Sequence, residues 1–515
     1  MEKANGIGRR DFLKGVAAAA VTAGMIGPGE AAQFINHPAG NKMPAILPHN
    51  LQPHPEIKAF KGTERYWAKV RQTFTLPNDY LHFNTGTTGS QPLFSLINLV
   101  VYNLYKSMDP RDWQINLNAD YPELFPFVNS TSSALTARQT AVAAQYGADP
   151  TEIVLSYNTT DACNLIFAGT PWQERDRIVT THWEHNAMAG PMAWARDYHK
   201  VDVSIVELPS NFTAAMTVAE VLELFEEKLS APLASGKKQY LAFSEVFYKN
   251  GLRMPVKELC KLARDKGAYS IVDSAHGWGM LPVNCHEYGA DFIAGAGHKW
   301  LCGGPGTGIF YIRNTGDLDT LPPFAQGNWG SYGNLFTIPS LRYGNRSWSP
   351  AGAMQGRGET NTPALYAMTD VAAYFNYLGV QDIYNRGVAL GNYLKDKIAA
   401  HWGAGALWVQ KNPDPAFHTA LTAFNPFSDK DTVDLNLYTA MKTAMTNVLN
   451  ALAAEDPKIY LRTVTWRNSK YDTADNRIAF RVSTHGVYNS YREIDYMFER
   501  LVAAVNATGL QQIGG

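Results

Sequence analysis

The chain lacks what would tie it to a charged polymer or a membrane. Its 515 residues carry 45 Lys plus Arg against 46 Asp plus Glu, a formal net charge of −1. No overall field therefore draws it to nucleic acid or anionic lipid. There is no local basic stripe either, so a small molecule is the expected partner. The one apolar stretch near the N-terminus is too short and too rich in alanine for a stable membrane span, and none follows it. Cysteine is scarce, and Cys163, Cys260, Cys285 and Cys302 show no CxxC or metal-ligand spacing. No metal is expected, and the thiols read as buried, with a disulfide left open. Internal repeats and low-complexity tracts are missing too.

What is present begins at the N-terminus. "GRRDFLKGVAAAAVTAGMIGPGEAA" pairs Arg9 with Arg10, then gives Phe12, Leu13, Lys14 and a mild Ala/Gly/Val run. The layout resembles a twin-arginine export signal over residues 1–32, with small residues for cleavage near Ala31 and Ala32. A basic start to an ordinary helix is the alternative. Export implies a periplasmic protein that folds, around any cofactor, before it crosses the membrane.

Residues 33–78 read as an extended arm rich in Pro, His and Asn. From residue 79, short apolar β-branched runs alternate with helical stretches. The runs are 152–156, 177–181, 204–208, 240–246, 269–275, 291–297 and 308–313; "TVAEVLELFEEKL" (217–229) and "PVKELCKLARDKG" (255–267) are among the helices. This alternation predicts an α/β domain with a mostly parallel sheet over 79–370. A long Gly, Trp and Tyr-rich loop (326–363) reads as functional or interfacial. The strands "ALTAFNPF" and "RIAFRVS" and the helix at 490–506 predict a smaller α+β domain over 371–515.

Two stretches carry the chemistry. In "IVDSAHGWG", Asp273 ends an apolar strand, which places a carboxylate at the carboxyl edge of the sheet, where open α/β folds bind ligands. In "GAGHKWLCGGPGTG", Lys299 follows another strand. The glycines suggest a phosphate loop, but an NTPase loop needs Ser or Thr after its lysine, and here Trp300 follows. A carboxylate and a lysine on neighbouring strand ends suit pyridoxal 5'-phosphate instead: the lysine forms a Schiff base with the aldehyde, and the acid pairs with the pyridinium nitrogen.

The run "VDSAHGWGMLPVNCHEYGADFIAGAGHKWLCGGPGTGIFYIR" resembles the core of class V aminotransferase-fold enzymes, among them cysteine desulfurases, kynureninases and isopenicillin N epimerase-like proteins. The resemblance extends from about residue 79 to 505. It implies a PLP-dependent fold type I enzyme with Lys299 as the Schiff-base lysine and Asp273 as the ring-nitrogen partner. It further implies that His276 contacts the phenolic oxygen and that His185 stacks on the ring. Thr159, Thr160 and His298 would bind the phosphate. Thr360 would reach the phosphate of a partner subunit, hence a homodimer. Arg481 would grip the substrate carboxylate, and Arg462 sits where some relatives carry a second arginine.

Several features depart from the family pattern. Ala296 stands where relatives often have serine, and Glu245 stands where they often have Asn or His, close to the phenolic oxygen. No nucleophilic cysteine follows "LRTVTW", which argues against a persulfide-forming desulfurase. Trp183, Trp278, Trp300 and Trp329 suggest a broad, partly apolar mouth. The expected activity is exported, PLP-dependent chemistry at the Cα amine of an amino acid or peptide-derived amine, with transamination or side-chain tailoring first. Epimerisation or C–S lysis comes next, and a non-catalytic binding protein is the alternative from another class.

Overall fold

The computed structural model describes residues 62–108, 134–314, 350–355 and 360–514. The expected export signal, the arm up to residue 61, Trp329 and most of the 326–363 loop lie outside the described residues.

Strand β1 (Tyr80–His82) pairs in parallel with β10 (Lys458–Tyr460), so the first strand joins the C-terminal region before the large sheet begins. That sheet uses β2 (Ile153–Ser156), β3 (Arg177–Thr181), β4 (Asp202–Val206), β5 (Gln239–Ser244), β6 (Ala268–Ser274), β7 (Phe292–Ala296) and β8 (Gly308–Ile312). Their spatial order is β2-β8-β7-β6-β5-β3-β4. Only β8 runs against the others, pairing antiparallel with both β7 and β2. The mostly parallel sheet expected from the alternation is therefore present.

Its strands are apolar throughout because both faces are covered. Successive residues alternate between two cores, as a period of two requires. Val154, Ile271, Phe292 and Ala294 face one layer, which includes the helix Thr159–Gly169. Ile153, Val272 and Ile293 face the other, with the helices Val218–Leu229 and Val256–Asp265. The Val218 helix starts where the sequence predicts, through a capping box in which Thr217 and Glu220 satisfy each other's backbone N–H groups.

The helix Thr362–Leu378 runs unbroken to Gly379, whose φ of +97° ends it and allows the next helix, Val380–Trp402, to start in a new direction. Beyond lies a three-stranded antiparallel sheet in the order β11-β12-β9, formed by β9 (Leu421–Phe424), β11 (Arg462–Trp466) and β12 (Arg477–Ser483). Its core includes Phe424, Ile478 and Phe480, closed by Ile494, Met497, Leu501 and Val505 of the helix Tyr491–Asn506. No helix of the described residues is long and apolar enough to cross a membrane.

The aromatic mouth expected from Trp183, Trp278 and Trp300 does not form from these residues. All three are at most 1% exposed and belong to the large core. The glycines of the "GAGHKW" stretch serve this packing, since a Cβ at Gly295 would overlap the indole of Trp278. Gly295→Ala is expected to cost about 1–3 kcal/mol of stability, the usual penalty of overpacking, read from the denaturant midpoint. An unchanged midpoint would show that the indole moves aside freely.

Candidate active site

Because β2, β3, β6 and β7 are mutually parallel, their carboxyl ends share one edge of the sheet. That edge carries the residues singled out from sequence. Thr159 lies three residues beyond β2, His185 four beyond β3, and Lys299 three beyond β7, while Asp273 is the penultimate residue of β6. Tyr157, Thr159, Thr160, His185, Asp273, His298 and Lys299 line one cavity of about 670 Å³.

Asp273 is fixed by the sheet on both sides, opposite Ser244 of β5 and Ala294 of β7. One of its oxygens accepts the Ala275 N–H at 2.9 Å. Burial raises its pKa, and nearby Lys299 pulls it back down. Lys299 shows the converse. Burial lowers its amine to about 8, with Asp273 raising it and Arg481 and Arg462 lowering it further. The segment 84–92 presses on the lysine's backbone: Gly89 N–H donates to the His298 carbonyl at 2.8 Å. A Cβ at Gly89 would overlap the Lys299 carbonyl.

The histidines are held neutral in defined tautomers. Trp300 Nε1–H donates to His276 Nδ1 at 3.0 Å, so the His276 proton sits on Nε2, which is buried and has no partner among the described residues. Burial, then Lys299 and Arg481, lower the His276 pKa well below its usual value. His185 caps the helix Asn186–His199, its Nδ1 accepting the Ala187 N–H at 3.0 Å. Its ring meets Tyr248 edge-on at 4.8 Å. Burial, then Lys299, Lys249, Arg481 and Arg462, lower its pKa to about 4.

Thr159 and Thr160 open the helix Thr159–Gly169, whose cap Asn158 accepts the Asp161 N–H at 2.8 Å. The first-turn N–H groups lack intrahelical acceptors by helix geometry, and buried Thr159 Oγ1 and His298 Nδ1 have no partner among the described residues.

Arg481 is buried on β12 and does not line this cavity. It donates to the Tyr248 carbonyl (3.0 Å), Asn84 Oδ1 (3.0 Å) and Thr87 Oγ1 (2.9 Å). Arg462 lies opposite it in register on β11 and donates to the same Thr87 hydroxyl at 3.1 Å. Thr360 is also outside the cavity lining; its carbonyl accepts from Lys106 Nζ at 3.4 Å.

Glu245 departs from its expected place beside the phenolic oxygen. Its carboxylate accepts from the hydroxyls of Ser274 and Tyr288, which draws it into the fold and out of the cavity lining. A different carboxyl escapes sequence reasoning. Glu184 is buried, accepts from Thr181 Oγ1 (2.7 Å) and Ser244 Oγ (2.6 Å), and has its pKa raised by burial to about 7. A glutamate just before His185 was the available signal. Asn84, Thr87 and Tyr248 escape it too. Cys163, Cys260, Cys285 and Cys302 are all buried and unpaired, and burial raises every one of these thiols.

The family model Aminotransferase class-V matches residues 116–433. Isopenicillin N epimerase of Streptomyces clavuligerus is 27% identical over 270 residues, 51% of this chain and 60% of that protein. A probable cysteine desulfurase 2 of Mycobacterium leprae is 29% identical over 250 residues, 47% of this chain and 54% of that protein. The chain thus spans less than two thirds of the length of these curated relatives. The fold matches a solved C-DES mutant with glycine covalently linked to its PLP cofactor (TM-score 0.61, 19% identity, 84% of this chain and 98% of that one). It also matches an apo cysteine desulfurase from Thermococcus onnurineus (TM-score 0.59, 19% identity, 85% and 98%).

The residues present fit pyridoxal phosphate. Two unpartnered donors, Thr159 Oγ1–H in the cavity lining and His276 Nε2–H, which lies outside the lining next to its member Ala275, call for acceptors such as phosphate and phenolate oxygens, and the Asp273 carboxylate and the Lys299 amine line the same cavity. Since the neutral amine is the nucleophile, the rate at which apoprotein develops a visible absorption band with added pyridoxal phosphate is expected to rise with pH and level off above about 8. A rate still climbing toward the ordinary lysine value of about 10.4 would show that Lys299 is not perturbed.

Proposed function

Because the chain belongs to the class V aminotransferase family and its cofactor is pyridoxal phosphate, we propose that it removes the Cα proton of an amino acid or peptide-derived amine. The observation that carries this reading is the half-buried Lys299 lining one cavity with the buried carboxylate of Asp273. The cofactor, when bound, supplies an electron sink conjugated to the substrate Cα. Asp273, whose carboxyl burial pushes up and Lys299 and the Ala275 N–H draw back toward the charged form, would pair with the ring nitrogen. Lys299, its amine lowered to about 8, accepts the Cα proton on Nζ near neutral pH, as a general base matched to its task. His276, through its Nε2–H, would hold the phenolic oxygen, Thr159 and Thr160 would hold the phosphate, and His185 would cover the ring face. Arg481, held by Tyr248, Asn84 and Thr87, would take the substrate carboxylate, which its planar fork suits.

Transamination or side-chain tailoring is the favoured outcome. Two-base epimerisation needs a proton donor on the face opposite Lys299. Among the described residues lining the cavity, His185 and His298 are both held neutral by burial, His185 down to about 4, which leaves the Tyr157 hydroxyl as the donor that epimerisation would need. Lys299 would then hold the Cα proton on Nζ and move it along one face of the cavity. A persulfide route is disfavoured because no thiol is exposed. The twin-arginine pattern supports export to the periplasm as a folded, loaded protein, and the resemblance supports a homodimer with Thr360 at the partner's phosphate.

A visible absorption band is expected in the purified protein and absent from Lys299→Ala. In deuterium oxide, Cα exchange of the substrate amine is expected to fall about 10²–10⁴-fold in that variant. Exchange at the wild-type rate would place the base elsewhere. Product mass separates the outcomes, since a carbonyl product marks transamination and an unchanged mass with inverted Cα marks epimerisation. Export is tested separately: replacing Arg9 and Arg10 by Lys is expected to retain the protein in the cytoplasm, and continued appearance in the periplasm would refute this route.

A further inference from the structure

Arg462 and Arg481 are directly opposed on the antiparallel pair β11–β12. Like charges at such positions repel, and here both guanidiniums converge on one hydroxyl, Thr87 Oγ1, at 3.1 and 2.9 Å. Thr87 in turn donates to Asn84 Oδ1 (2.9 Å), which also accepts from Arg481. The remaining acceptors are the carbonyls of Tyr248 and Thr463. Every one of these partners is neutral. Among the described residues no carboxylate lies within ion-pair distance of either arginine.

A third cation stands beside them. Lys249 is 9% exposed, with its ammonium 5.5 Å from the centre of the Tyr248 ring. The nearby acids do not neutralise the group. Asp475 is exposed and accepts from Thr465 Oγ1, while Glu184 is committed to Thr181 and Ser244. Tyr248 ties the group to the cavity: its ring meets the lining His185 edge-on at 4.8 Å, its carbonyl accepts from Arg481 at 3.0 Å, and the Lys249 ammonium stands 5.5 Å from its ring centre. Arg481 and Lys249 are buried and Arg462 is half-buried, and desolvated charges are costly unless a counter-ion meets them. An α-carboxylate neutralises one of the three, and two remain.

We propose that the substrate carries a second anionic group, a carboxylate or its equivalent, held by Arg462 with Lys249 alongside while Arg481 holds the first. This rests on reading the cavity as an amino-acid site, and it specifies an acidic amino acid or an amine bearing a second acid.

The test uses the holoenzyme with the dicarboxylates succinate, glutarate and adipate, each paired with its monoamide, and measures affinity by calorimetry. At least one dicarboxylate is expected to bind about 10- to 100-fold more tightly than its monoamide, as one charge-assisted contact implies. Arg462→Gln is expected to abolish that preference with little loss of monoamide affinity, and Arg462→Lys to retain part of it. Arg481→Gln is expected to weaken both members of each pair. Equal affinity within every pair in the wild type would overturn the proposal, as would Arg462→Gln weakening acid and amide alike, which would assign Arg462 to the first carboxylate. Neither probe has an amine, so the two readings separate. A dicarboxylate preference without Cα exchange of any amine refutes the enzymatic reading alone, and exchange without the preference refutes the second subsite alone.

Discussion

The site depends on the opposition of Asp273 and Lys299 inside a cavity that stabilises neither charge by solvent. Burial alone would protonate the carboxylate and deprotonate the amine. Each charge offsets this in part for the other, and the balance leaves the carboxyl raised by burial and drawn back by Lys299, beside an amine lowered to about 8. The geometry comes from the sheet, because β6 and β7 are hydrogen-bonded neighbours with Asp273 opposite Ala294. Moving either strand end would break the balance. Gly89 and Gly295 matter for the same reason: they let the 84–92 segment and Trp278 close on the lysine's support from two directions.

Around this pair the histidines act as neutral hydrogen-bonding groups. His276 is fixed by the Trp300 indole and His185 by the helix it caps. Burial first, and then the positive charge of Lys299, Lys249, Arg481 and Arg462, keeps His185 from gaining a proton. A site with neutral imidazoles and surplus fixed cations is set up to receive anions, both at the cofactor phosphate and at the substrate. Proton transfer is left to Lys299.

Much of this was legible in the chain. The strands "RIVTT" and "RIAFRVS" and the helix from Ser490 stand where the pattern put them, because a buried parallel strand or an amphipathic capped helix writes its periodicity locally. The short polar strands β1, β10 and β11 were not legible. They hold their places by pairing with distant segments, and three to five residues of mixed polarity carry no period. The tryptophans misled for a related reason: a large aromatic ring is equally suited to a pocket wall and a core, and only burial distinguishes the two.

Residue type and spacing by themselves determined that an acid and a lysine would end neighbouring strands, that hydroxyls would open a helix, and that no thiol would follow β11. These are properties of short windows, governed by local geometry. Only the tertiary structure decided that Glu245 would turn to Ser274 and Tyr288 while Glu184 sat buried behind β3. It also decided that Arg462 would face Arg481 across two strands. Those outcomes depend on which remote backbone a side chain meets after burial, and the free energy that selects among partners is absent from any window of sequence.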